Sequence, residues 1–249
     1  ANHPEILKID GEVAKEHGMA YPMGARMMSG HTPKHEQLER ECAAFVDKEK
    51  AYLLNFGYQG IMSAIDALVN KNDIIVYDID THACIIDGVR LHAGKRFVYR
   101  HNDMESFEKN IKRAKRMAEK TGGGILVISE GVFGMRGEQG RLKEIVAFKK
   151  EYNFRLLVDD AHGFGVLGKT GAGLVEDQNL SIDEVPVLMG TLGKAFGTYG
   201  AFVAGSEALI ETLVQFSRSY IYTTAPPPAV AVATMASLQL VKSEQWRRD

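Results

Sequence analysis

Two short stretches of the sequence combine residue types that do chemistry: "VDDAH" (158–162) and "GTLGKAFG" (190–197). A lysine set among glycines on a short apolar turn suits a neutral amine nucleophile, which forms Schiff bases with carbonyl compounds. A carboxylate facing a heterocyclic cation keeps that ring protonated and electron-withdrawing. Lys194 and Asp159 together supply what pyridoxal phosphate requires of a protein. Read singly, they are a surface lysine in a turn and an acidic helix cap. A third stretch, "GFGVLGKT" (163–170), fits two phosphate-binding patterns, G-x-x-x-x-G-K-T and G-x-G-x-x-G. A phosphate loop follows its strand directly and opens a helix whose N–H groups cradle the anion. Here "DDAH" intervenes, setting two carboxylates where a polyphosphate would pass, and "GAGLVEDQN" beyond it has little helical promise. The dinucleotide pattern finds an acid at Asp183 but lacks the glycine turn at a first β–α crossover. A glycine-rich loop beside a site explains the same letters.

The elements that must position these residues follow from apolar periodicity. "AYLLNF", "DIIVYD", "RFVYR", "GILVISE", "RLLVDD", "VPVLMG" and "GAFVAG" read as strands. Amphipathic stretches lie between several of them. "HEQLERECAAFVDK" aligns Leu38, Cys42 and Phe45, and "ESFEKNIKRAKRMAEK" aligns Phe107, Ile111 and Met117. Near-continuous apolar strands alternating with helices predict an α/β fold, a mostly parallel sheet covered on both faces. Ligands of such sheets sit at the carboxyl ends of strands, where "RLLV" delivers Asp159 and "VPVLMG" delivers Thr191 and Lys194. The chain reads as one domain over residues 1–249, with a lead-in over 1–20 and a helix over 229–249 leading outward.

Composition bounds the partners. Apolar residues make up 45% and charged residues 25% of 249, and the net charge of −2 gives no electrostatic reason to expect nucleic acid or an anionic membrane. No apolar run is long enough to span a bilayer, and "ANHPEILKIDGEVAKEHG" is too charged for a signal peptide. Cys42 and Cys84 lack metal-ligand spacing and read as reduced thiols of a cytoplasmic protein.

Seven collinear segments carry a resemblance: "HEQLE", "LLNFGYQGIMSAIDAL", "DIDTHACIIDGVRL", "SEGVFGMRGEQG", "LLVDDAHGFGVLGKTGAG", "GTLGKAFGTYGAFVAG" and "YIYTTAPPPA". From about residue 20 onward the chain resembles the large domain of the α-oxoamine synthases. These are fold-type-I pyridoxal phosphate enzymes that condense an amino acid with an acyl-CoA and release carbon dioxide and CoA. The family includes 8-amino-7-oxononanoate synthases of biotin biosynthesis, serine palmitoyltransferases of sphingolipid biosynthesis, 2-amino-3-ketobutyrate CoA ligase and 5-aminolevulinate synthase. The resemblance implies that Lys194 holds the cofactor and moves protons at the substrate Cα, that Asp159 pairs with the ring nitrogen, and that His162 bonds the ring hydroxyl. It implies that His82 stacks on the ring. The phosphate falls at a helix beginning near Gly57, with the N–H groups of Gly57 and Tyr58 and the Thr191 hydroxyl as donors. Thr223 and Thr224 match residues lent to the neighbouring subunit's phosphate, which implies a homodimer.

The sequence also departs from that family. Gly134 stands where many relatives carry a serine near the ring hydroxyl, and Gly193 replaces a Ser or Ala before the lysine. The family's Asn-Ser-Tyr-Leu-Gly-like N-terminal stretch and its C-terminal small domain, with the carboxylate-binding arginine, have no match. Through "LLVDDAHGFG" the chain looks nearer serine palmitoyltransferases, and after "VPVLMG" nearer oxononanoate synthases. The expected function is condensation of an amino acid with an acyl-CoA, nearest 8-amino-7-oxononanoate synthase. The alternatives are a serine palmitoyltransferase, or a truncated or engineered cofactor-binding core without turnover. A nucleotide hydrolase would rest on residues 163–170 alone.

Overall fold

The computed structural model describes residues 2–18, 24–181 and 183–248. Residues 1, 19 and 20 of the expected lead-in, and residue 249 of the outgoing helix, lie outside the described residues. All seven apolar runs form strands of one sheet: β1 (Lys50–Leu54), β2 (Ile74–Asp78), β3 (Lys95–Tyr99), β4 (Ile125–Glu130), β5 (Arg155–Asp159), β6 (Val187–Thr191) and β7 (Ala201–Gly205). Their order is β1-β7-β6-β5-β4-β2-β3. Only the two pairings of β7, with β1 and β6, are antiparallel. The sheet is therefore mostly parallel.

Helices cover it. They are α1 (Pro4–His17), α2 (Pro33–Phe45), α3 (Gly57–Leu68), α4 (Ala83–Leu91), α5 (Met104–Thr121) and α6 (Leu142–Ala147). Then follow α7 (Lys149–Tyr152), α8 (Leu174–Asp177), α9 (Glu207–Phe216), α10 (Arg218–Tyr222) and α11 (Pro228–Ser243). Strand side chains alternate between two cores, as a period of two dictates. Val127, Leu156, Val158, Leu188 and Phe202 face the core built with α2, α5, α6 and α11. Leu126, Ile128, Leu157, Met189 and Val203 face the core built with α3, α4 and α9. The stripe on α2 is buried at Leu38, Cys42 and Phe45, and that on α5 at Phe107 and Ile111, with Met117 packed at its margin.

The segment expected to lead outward begins as α11, which packs along α1 and α2. Its Ser237 hydroxyl donates to the carbonyl of Phe196 at 2.6 Å, two residues from Lys194. Its approach is fixed by His35, a buried imidazole 2.7 Å from the Pro226 carbonyl.

Register brings chemistry to one edge of the sheet. Glu130 at the end of β4 lies opposite Asp159 at the end of β5, and Asp159 opposite Met189 of β6. Thr191 ends β6, β1 ends three residues before Gly57, and β2 ends four residues before His82.

Candidate active site

Asp159 is buried, and burial pushes its carboxyl above the ordinary range although the Ala161 N–H, Lys194 and His82 oppose the shift. Its Oδ1 accepts from the Ala161 N–H at 3.0 Å, and Oδ2 lies 3.8 Å from the Cys84 thiol, a weak donor. Lys194 Nζ is 2.7 Å from His162 Nε2. Burial lowers the lysine below its usual value, against the pull of Asp159 and Glu130. Burial also lowers His162, and the charges of Lys194 and His82 add to the effect. Two groups whose charged forms burial disfavours thus sit within hydrogen-bond distance.

His82 caps the N-terminus of α4, its Nδ1 accepting from the Cys84 N–H at 3.2 Å. That bond leaves the proton of the neutral ring on Nε2. The Cys84 sulfur is 3.0 Å from the same Nδ1. The His82 N–H donates to the Glu130 carboxylate. Burial, reinforced by Asp159, pushes Glu130 up to about 7. The Tyr58 ring meets His82 edge-on at 6.0 Å, and its hydroxyl donates to Asp87.

Lys194, His162, Asp159 and His82 therefore form one cluster. Gly57 is the first residue of α3, whose N-terminus has no side-chain cap. Such an end presents free N–H groups to an anion. The Thr191 hydroxyl donates to the Gly200 carbonyl at 3.3 Å. The Thr224 carbonyl accepts from Asn55 Nδ2 at 2.9 Å, which ties the segment carrying Thr223 and Thr224 to the loop leading into α3. Among the described residues, none of the hydrogen bonds of these three threonines reaches Lys194, His162, Asp159 or His82.

Glu130 and Cys84 belong to the cluster and were not singled out from the sequence. Glu130 had a signal: it ends a buried strand, as Asp159 does. Cys84 had none beyond its place two residues after His82. At Gly134, an added Cβ would lie 2.5 Å from His162 Nε2. A serine there is incompatible with this placement of His162, so the glycine makes room for the imidazole.

The "GFGVLGKT" turn opens only the single turn of α8, and the donors at its end are taken by a carboxylate. The Glu176 carboxylate accepts from Thr170 N–H and hydroxyl and from Ala172 N–H, each at 3.1 Å. No group of three or more His, Cys, Asp or Glu is arranged to hold a metal ion among the described residues. Nor is any helix among them long and apolar enough to cross a membrane. A cavity of ≈ 790 Å³ lies at the opposite edge of the sheet, between strand starts at Ile125, Arg155 and Val187.

Residues 9–249 match the aminotransferase class I and II family. The chain is 60% identical over 243 residues to a cysteate-C-fatty acyltransferase of Capnocytophaga ochracea, covering 98% of this chain and 58% of that protein. It is 43% identical to an 8-amino-7-oxononanoate synthase of Saccharophagus degradans, covering all of this chain and 61% of the relative. Among solved structures it resembles a serine palmitoyltransferase of S. paucimobilis with a bound PLP–myriocin aldimine, with a TM-score of 0.91 and 29% identity. That match covers 98% of this chain and 60% of the other. An 8-amino-7-oxononanoate synthase from Francisella tularensis aligns with a TM-score of 0.81 and 30% identity, covering 98% of this chain and 67% of that one. The chain spans about three fifths of the length of the curated relatives it matches.

Proposed function

This chain belongs to the aminotransferase class I and II family, and on that footing we propose that it is the cofactor-binding large domain of a pyridoxal phosphate acyltransferase. The reaction joins the Cα of an amino acid to the acyl carbon of an acyl-CoA and releases carbon dioxide and CoA. One observation carries the reading: a burial-lowered lysine, a buried aspartate and two histidines converge on the carboxyl edge of a parallel sheet, beside an uncapped helix N-terminus.

The residues fit the cofactor. Asp159 is a buried carboxyl that, among the described residues, accepts from an N–H and a thiol, and a ring N–H cation would supply the partner that burial demands. When bound, pyridoxal phosphate supplies an aldehyde for the substrate amine and a ring that withdraws electrons from Cα. Lys194 would hold the aldehyde, and its amine is placed to move a proton at the substrate Cα. His162 accepts from the Lys194 amine and would orient it. His82 presents Nε2–H to the site because its Nδ1 is committed to the α4 backbone. Glu130, with a pKa near neutrality, fixes the His82 backbone. The Gly57 and Tyr58 N–H groups, with Thr191, would hold the phosphate dianion.

Finer assignments rest on the relatives. The identity of 60% to a cysteate-C-fatty acyltransferase, against 43–46% to oxononanoate synthases, favours cysteate and a fatty acyl-CoA as substrates. This keeps the condensation expected from the sequence and changes the pair condensed. A homodimer, with Thr223 and Thr224 reaching the neighbouring phosphate, belongs to the same proposal, as does a cytoplasmic location. CoA release measured over cysteate, alanine and serine against pimeloyl, palmitoyl and shorter acyl-CoAs tests it. The expected result is greatest release with cysteate and a long acyl chain. Release greatest with alanine and pimeloyl-CoA would return the assignment to an oxononanoate synthase. A trapped cofactor on Lys194 without CoA release from any pair would leave a binding core.

A further inference from the structure

A second carboxylate–imidazole cluster lies outside the residues given roles above. His101, just after β3, has Nδ1 2.9 Å from Asp78 Oδ1 and Nε2 2.7 Å from Glu138 Oε2. Asp78 is fully buried at the end of β2 and also accepts from the Asp80 and Asn102 N–H groups, each at 2.9 Å. The imidazole packs edge-on against buried Phe133, with centroids 4.4 Å apart.

Two carboxylate oxygens on the two ring nitrogens have one consistent proton assignment. Carboxylates only accept, so both nitrogens must donate, and the ring is an imidazolium. A neutral ring donates once and leaves one carboxylate facing a lone pair.

Glu138 is part of a tight hairpin over residues 131–140. Phe133 N–H donates to the Glu138 carbonyl at 2.9 Å, Gly140 N–H to the Gly131 carbonyl at 2.8 Å, and Val132 bridges Gln139. The hairpin reaches the candidate site through three contacts. Its Gly134 lies against His162, and the Gly134 N–H is among the groups bonded to Glu130. Gly131 N–H also donates to the Asp159 carbonyl at 2.8 Å.

We propose that His101 is a positioning residue: as an imidazolium bridging Asp78 and Glu138, it clamps the 131–140 hairpin against His162 and Glu130. The clamp stands on this geometry alone, whereas its consequence for turnover rests on the acyltransferase reading. The surrounding charges are Asp78, Asp80 and Glu138, with Arg136 paired to Asp80 at 2.9 Å and Arg141 bonded to the Asn102 carbonyl. Burial opposes a charged His101, but the bonds to Asp78 and Glu138 and the Asp80 charge outweigh it and raise its pKa. The clamp is therefore complete below the ordinary histidine range and is lost as pH rises through the raised folded value.

Histidine-labelled protein followed by NMR from pH 5 to 9, together with amide exchange, tests the clamp without cofactor or substrate. His101 should remain doubly protonated beyond the ordinary histidine range. Protection of the Phe133 and Gly140 amides, corrected for intrinsic base catalysis, should fall at least about tenfold as it deprotonates, the weight of one charge-assisted hydrogen bond. The His162 signals should follow the same titration. Glu138→Gln, at an exposed position, should lower the His101 titration and remove its echo at His162. His101 titrating at or below its ordinary value, or Glu138→Gln retaining the wild-type hairpin titration, would overturn the clamp. A clamp that behaves as described in a protein that releases no CoA would sink the acyltransferase reading and leave the clamp standing.

Discussion

Burial acts in opposite directions on the two charges of the candidate site, lowering the Lys194 amine and raising the Asp159 carboxyl. Both shifts favour neutral groups awaiting an incoming ionic ring. Lys194→Ala should fold, since among the described residues its amine hydrogen-bonds His162 alone. Borohydride reduction with pyridoxal phosphate, followed by peptide mapping, should find the adduct on Lys194 and none in the variant. An adduct on Lys169 instead would remove the assignment. Asp159→Asn should keep the cofactor but slow exchange of the substrate Cα proton by about a hundredfold or more, because an amide cannot hold the ring nitrogen cationic. Unchanged exchange would strike Asp159 from its role. The adjacent Asp160 acts on stability. Its Oδ2 accepts from Leu174 N–H at 2.6 Å, Oδ1 is buried without a partner, and Gly131, Gly163 and Gly173 leave the space it fills. Burial, with Asp159 adding, pushes it up to about 7 from 3.8. A raised acid favours the fold while protonated, so its contribution is full below pH 4 and lost as pH rises through 7. Asp160→Asn should flatten this window, the wild type losing on the order of 2 kcal/mol more than the variant between pH 5 and 8 by urea unfolding. Equal slopes would show that Asp160 is ionised throughout. At this scale the sequence was partly legible. Lys194 and Asp159 announce themselves by type and setting, whereas Cys84 and the His101 bridge depend on contacts between distant segments.

Among the elements, strands were the most legible because most are buried on both faces and their apolar runs are nearly uninterrupted, β3 at the sheet edge being the exposed exception. The runs "GILVISE" and "RLLVDD" end in the acids where β4 and β5 end, so burial stops where the chemistry starts. Pairing order was not legible, since parallel strands meet only across crossovers. Glu130 lies beside Asp159 for that reason alone. The loop after β5 was misleading in its letters and clear in its context. Four glycines at positions 165, 168, 171 and 173 have positive φ, and the turn folds around Glu176 and not around a phosphate. Glu176→Ala should strip the acceptor from Thr170 and Ala172 and cost about 1–3 kcal/mol of unfolding free energy. A change within error would mean that water serves these donors equally well. Lys169→Ala, by contrast, should leave stability and cofactor binding nearly untouched.

On the scale of the whole molecule, two cores form on the faces of one sheet, and several of the large apolar side chains left exposed gather at one junction near the site edge. Ala25 bridges Thr224, and Asn55 bonds the Thr224 carbonyl. Around this junction stand Met28, 84% exposed, Tyr222, 70% exposed, and the Phe56–Tyr199 ring pair at 5.3 Å. An apolar rim beside an uncapped helix N-terminus is a surface that a second copy would cover. It would also bring Thr223 and Thr224 toward a neighbouring phosphate, as the homodimer reading requires. Tyr222→Glu places a charge in that rim without touching Lys194 or Asp159. The expected outcome is a shift toward monomer in light scattering, weaker pyridoxal phosphate binding, and unchanged far-UV circular dichroism. Because the threonines lie on the same segment as Tyr222, the two losses should share one concentration dependence, with added protein restoring both. A variant that is monomeric yet binds cofactor as tightly as the parent would show that the phosphate is held within one subunit. The donors would then be those of Gly57, Tyr58 and Thr191 alone.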